Sequence, residues 1–130
     1  MIEFHLDAHS GVPPYLQIVQ QVKQALRLGL LGVDDQLPTV REVVERLVIN
    51  PNTVLKAYRE LEQEGLLASR PGQGTFVTRT LAATSLASHA ALRRSLARWL
   101  RSARDAELDD ESILALFMST FQDAQKEETA

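Results

Sequence analysis

The chain has 130 residues, 45% hydrophobic and 24% charged, which suits one compact domain with an appendage and excludes a mostly disordered polymer. There is no cysteine, so disulfides, cysteine-ligated zinc and thiol catalysis are excluded; His5, His9 and His89 are spread out with no third ligand at useful spacing, and neither metal nor cofactor is expected. A net charge of −3 argues against nucleic-acid binding unless the cations gather on one side, with helix carboxylates such as Glu60, Glu62 and Glu64 facing away.

Residues 3–7, EFHLD, alternate apolar and polar side chains and are expected to form a short strand. The Ser10-Gly11-Val12-Pro13-Pro14 stretch breaks the chain. After it, Tyr15, Ile18, Val19, Val22, Leu26 and Leu30 hold helical spacing, which predicts a helix from about Pro14 to Leu31. Val33-Asp34-Asp35-Gln36 reads as a polar turn.

Val40, Val43, Val44 and Leu47 then fall at i, i+3, i+4 and i+7, a short helix opened by a capping box between Thr39 and Glu42. Asn50 as N-cap and Pro51 at the first helical position start the next helix. There Val54, Ala57, Tyr58 and Leu61 form the buried stripe, leaving Asn52, Lys56, Arg59 and Gln63 on the opposite face. Two short helices at a sharp angle, the second presenting amides and cations, are what major-groove reading requires.

Gly65 suits the end of that helix, and LLASRPGQGTFVT changes to strand periodicity. Leu67 and Ser69 oppose Thr75 and Val77 in a predicted hairpin with Pro71-Gly72-Gln73-Gly74 at its tip. The small tip lets backbone approach a phosphate or minor groove, with Arg70 and Gln73 supplying donors. The fold expected is mostly α with a small β-hairpin: a winged helix-turn-helix domain over residues 1–79.

Residues 80–130 are read as a linker and a two-helix dimerisation region. From about Leu86 to Arg104, Leu92, Leu96, Trp99 and Leu100 share one face. Arg93, Arg94, Arg98, Arg101 and Arg104 occupy the other side, read as a solvated row paired with the acidic turn and last helix. Asp109 or Asp110 is expected to cap that last helix, from about Glu111 to Ala124, whose apolar face holds Ile113, Leu114, Phe117, Met118 and Phe121; the tail from Gln125 is expected to fray. Two such helices cannot enclose much core alone, so a homodimer is expected.

No run of 18 or more apolar residues and no basic-then-apolar start occurs, so no membrane association and a cytoplasmic location are expected. Catalytic spacings of Ser, His and Asp, a phosphate-cradling loop and paired carboxylates outside helix faces are lacking, which argues against an enzyme. The alternative to DNA binding is a winged-helix protein-interaction module, which has no reason to cluster Arg41, Lys56, Arg59 and Arg70.

The run PYLQI…LPTVREV…NPNTVLKAYRELEQEGLL…RPGQGTFV, over roughly residues 12–78, resembles the DNA-binding domain of GntR-family bacterial transcriptional regulators. NPNTV with AYRELE and the short C-terminal region are similar to the YtrA-like subfamily. That resemblance implies a dimeric repressor of a two-fold operator, often beside ABC transporter genes, with a recognition helix over about 51–64 and a wing over 66–78. It also implies an operator contact for Arg41, recognition-helix contacts for Asn50, Asn52 and Thr53, and wing-tip roles for Gly72 and Gly74. Val48 stands where the family usually has glycine in the turn, Asp34 replaces the glycine before the LP dipeptide, and Leu55 replaces a contacting arginine, which shifts base reading toward Asn52, Thr53 and Lys56. No effector is assigned; a small-molecule pocket near Trp99, Phe117 and Phe121 is weighed against their being plain core.

Overall fold

A computed structural model describes residues 1–82 and 86–129. It divides into two compact units, Met1–Leu86 and Ala87–Ala130. Residues 83–85 of the expected linker lie outside the described residues.

The first unit contains α1 (Pro14–Arg27), α2 (Val40–Leu47), α3 (Pro51–Gln63), β1 (Leu67–Arg70) and β2 (Gly74–Val77). Its core gathers the periodic residues of the three helices, with Ile18, Leu26, Val54 and Leu61 fully buried together with Leu37, Leu66 and Val77 from the connections and wing. Each such leucine contributes enough that truncating Leu61 to alanine would cost about 2–5 kcal/mol.

α1 ends four residues earlier than its apolar periodicity suggests. Gly29 takes a left-handed φ of 73°, and the Leu30 and Gly29 N–H groups return to the carbonyls of Ala25 and Leu26, at 2.9 and 3.4 Å. This closes the helix in a Schellman motif. Leu30 is thereby turned outward, and the neighbouring Leu31 is buried in its place. α3 stops in the same way at Gly65, where Leu66 N–H reaches the Leu61 carbonyl at 3.0 Å.

The expected strand at residues 3–7 does not form. The segment is extended, but its partner is a pair of glutamine side chains rather than a strand. The Gln21 amide accepts from His5 N–H at 3.1 Å and donates to its carbonyl at 2.6 Å, while Gln17, itself buried, does the same for Asp7 at 2.8 and 3.0 Å. Each amide supplies the donor and acceptor that a neighbouring strand would offer. Phe4 is carried into the core by this docking.

The polar turn before α2 is also more than a turn. Asp34 N–H donates to the Val77 carbonyl, Val77 N–H to the Asp35 carbonyl and Leu37 N–H to the Thr75 carbonyl, at 2.8–2.9 Å. The segment lies along β2 as a third, irregular edge. β1 and β2 pair antiparallel with Leu67 opposite Val77 and Ser69 opposite Thr75, the register expected from their alternation. Fold class thus matches the sequence reading: mostly helical with a two-stranded hairpin.

The second unit holds α4 (Leu86–Asp105), apart from its first residue, and α5 (Asp110–Thr129). Asp109 is the cap of α5, accepting from Ser112 N–H at 2.8 Å, and hydrogen bonding from the Ser112 hydroxyl and then its N–H holds the carboxyl below the ordinary range. The segment from Gln125 does not fray but stays helical to Thr129, consistent with the good helix formers Gln, Lys and Glu at 125–128. Ala103 and Ile113 are the buried apolar side chains of this unit among the described residues. No helix among the described residues is long and apolar enough to cross a membrane.

Candidate nucleic-acid interface

α3 is positioned by its two ends and its buried stripe. Asn50 accepts from Asn52 N–H at 2.8 Å, and Pro51 follows at the first helical position. No carboxylate stands in the first turn. The helix N-terminus is therefore a concentration of positive partial charge, suited to a phosphate. At the middle of the helix the buried Tyr58 donates its hydroxyl to the Pro38 carbonyl at 2.6 Å, fixing the roll of α3 against the residues that lead into α2.

With Val54, Ala57, Tyr58 and Leu61 inward, Asn52, Lys56, Arg59 and Gln63 are exposed, as their spacing predicts. Thr53 and Leu55 flank this face and are half-buried. Asn50 keeps its amide nitrogen for an external acceptor, because capping uses only its oxygen.

The cations of the proposed site differ in what already holds them. Arg41, at the second position of α2, reaches Glu45 at 3.2 Å, but its side chain is 88% exposed and such a surface pair is worth well under about 1 kcal/mol. Lys56 extends back over the ring of Tyr15 in α1, 3.9 Å from its centroid. Arg59 is exposed and makes no ion pair among the described residues. Of the carboxylates expected to face away, Glu64 is engaged by Lys23 at 2.8 Å and Glu62 by the Ser69 hydroxyl at 2.8 Å.

The wing is a three-residue loop, one residue tighter than its sequence suggests, because Gly74 already pairs with Arg70. Gln73 N–H donates to the Arg70 carbonyl at 2.9 Å, with Pro71 and a left-handed Gly72, φ 73°, between them, the arrangement of a type II turn. Gly74 has φ 127°, and a Cβ there would lie 2.7 Å from the Gln36 amide nitrogen, which donates to the Gln73 carbonyl at 3.0 Å. The Gln73 side chain is left exposed at the tip.

Arg70 is held twice: its guanidinium lies 4.1 Å from the Phe76 ring centroid and donates to Asp34 at 2.6 Å. Sequence reading missed the contributions of Tyr15, Gln36 and Asp34 to this surface. Asp34, as a departure from the family glycine, carried the one visible signal.

In the second unit the residues expected to meet a partner divide. Leu92, Leu96, Leu114, Phe117 and Phe121 are exposed, together with Leu116 and Met118. Trp99 and Leu100 are half-buried, and Ile113 is taken up inside the unit instead of remaining available. Trp99, Phe117 and Phe121 form a run of ring contacts at 6.5 and 6.1 Å between centroids. Of the arginine row, Arg104 alone pairs with the acidic turn among the described residues, 3.6 Å from Asp110, and the Arg98 guanidinium bonds to the Ser95 hydroxyl in its own helix.

Residues 14–77 match the family model of bacterial regulatory proteins, gntR family. The transcriptional repressor YtrA of Bacillus subtilis is 44% identical over 73 residues, covering 56% of this chain and 56% of that protein; this chain spans about half the length of the curated relatives it matches. Among solved structures, YtrA from Sulfolobus acidocaldarius, described as a GntR-family transcription factor, is 30% identical with a TM-score of 0.54 over 75% of this chain and 97% of that one. The DNA-binding domain of AraR, solved in complex with an operator, is 28% identical with a TM-score of 0.52 over 59% of this chain and 96% of that one.

Proposed function

We propose that this chain, which belongs to the GntR family of bacterial regulatory proteins, is a sequence-specific DNA-binding repressor that acts as a homodimer on a two-fold symmetric operator. The observation that carries the reading is the face of α3. Asn52, Lys56, Arg59 and Gln63 are solvated along one side of a helix whose other side is sealed into the core. In this proposal α3 enters the major groove. Asn52, Thr53 and Lys56 read base edges, with Arg41, Asn50 and Arg59 on or beside the backbone. Gly72, Gln73 and Gly74 of the wing meet the adjacent backbone or minor groove, with Arg70 beside them. That the similar AraR domain was solved in complex with an operator supports DNA as the partner.

Homodimerisation is supported by the apolar side chains of α4 and α5 that their own unit leaves exposed. Gel shifts with the DNA upstream of the chain's own operon test the reading. Binding should weaken steeply with salt, and Lys56→Ala should cost roughly 1–3 kcal/mol for a base contact while Arg41→Ala costs about 1 kcal/mol for a phosphate contact. Unchanged affinity in both variants would sink the assignment.

A further inference from the structure

Asp34 occupies a left-handed backbone position, φ 72°, that a side chain rarely adopts without a reason. Its backbone N–H is committed to the Val77 carbonyl, which places the carboxylate beside the wing, and that carboxylate takes a guanidinium nitrogen of Arg70 at 2.6 Å. The Phe76 ring, 4.1 Å from the guanidinium carbon, covers a face of the same group. The pair is solvated on both sides, with Arg70 41% and Asp34 71% exposed. The wing therefore presents a neutral pair where its sequence alone promises a cation.

We infer that Asp34 masks Arg70 from DNA and thereby sets the wing's affinity for the phosphate backbone below what the fold allows. The inference rests on the DNA-binding reading above and concerns one determinant of its strength. A phosphate near the wing competes with a carboxylate that is already in place and covalently tethered through the backbone. Arg70 gives up one charge-assisted bond to make another, so little counterion release is gained from it. The glycine tip and the Gln73 amide are left as the wing's main contacts. Removing the carboxylate charge while keeping the side-chain shape frees Arg70 without demanding a new backbone, since asparagine tolerates the left-handed region well.

Binding of the full chain to a mixed-sequence duplex of about 30 base pairs, titrated across salt concentrations, reads the phosphate contribution without knowledge of the operator. Asp34→Asn should tighten binding by roughly twofold to tenfold at low salt and steepen the log–log salt slope by about 0.9, one added phosphate contact. In an Arg70→Gln background the same substitution should give a much smaller gain. Weaker or unchanged binding by Asp34→Asn would overturn the inference and make Asp34 an aligning partner instead. An equal gain without Arg70 would overturn it too, by showing plain repulsion of DNA by Asp34. Failure of the unmodified chain to bind any duplex at low salt would instead sink the DNA-binding reading itself.

Discussion

The Tyr58 hydroxyl, buried in α3, donates to the Pro38 carbonyl at 2.6 Å and so joins the helix proposed to read DNA to the segment that opens α2. Burial, and secondarily the Glu42 carboxylate, push the phenol well above its ordinary value of 10.0. The folded state thus retains a proton that the unfolded chain releases above pH 10. Stability from this group is full below about pH 10 and declines as pH rises toward the folded value, by up to about 1.4 kcal/mol per pH unit. Tyr58→Phe should lose about 1 kcal/mol at neutral pH and lack this alkaline decline. Urea titrations of both forms between neutral and alkaline pH check it; parallel pH profiles would refute the linkage.

Val48 ends α2 with φ 54° and ψ 56°, a left-handed conformation that is adverse for a β-branched residue, and its side chain is 86% exposed. No packing offsets the strain. Val48→Gly should therefore stabilise the domain by roughly 0.5–1 kcal/mol, the backbone relief exceeding glycine's greater unfolded-state freedom. A lower thermal midpoint in the variant would show that the valine has a contact worth more than its strain.

Gly74 is constrained by backbone conformation and by space. Gly74→Ala should destabilise the wing by about 1–3 kcal/mol through its φ of 127°, and should displace Gln36 from the Gln73 carbonyl. Gln36→Ala combined with Gly74→Ala removes the clash but not the strain. Hydrogen exchange at the Gln73 and Val77 amides would register the loosening, and full protection in Gly74→Ala would contradict this account.

The helices were legible because burial follows their period. Ile18, Val54 and Leu61 lie where spacing puts them, and the Thr39–Glu42 capping box forms as its residue types require, with Glu42 N–H reaching the Thr39 hydroxyl at 3.1 Å. What was not legible depends on partners distant in sequence. Residues 3–7 are held by Gln17 and Gln21 instead of forming the expected strand, and a side-chain amide leaves no periodic signal. The Lys56–Tyr15 and Arg70–Asp34 contacts likewise join positions that only the tertiary fold brings together. At the end of α1 the reverse held: apolar spacing continued through Leu30, but a left-handed Gly29 overrode it.

Leu92 and Leu114 discriminate between a packed unit and one awaiting a partner, because they are 68% and 64% exposed within their own unit. A charge at either position removes little packing from the single chain. In a two-fold dimer it would strand a carboxylate in an apolar interface of about 800 Å² per partner, a cost of several kcal/mol. Leu114→Glu should therefore convert the proposed dimer to monomer in sedimentation experiments at micromolar concentration while leaving helix content unchanged. It should also weaken operator binding, since two half-sites are then no longer engaged together. Phe117 is a less clean probe, as its ring also contacts Trp99 and Phe121 and its loss would disturb the unit itself. A Leu114→Glu chain that remains dimeric would place the two-fold contact elsewhere than on this face of α5.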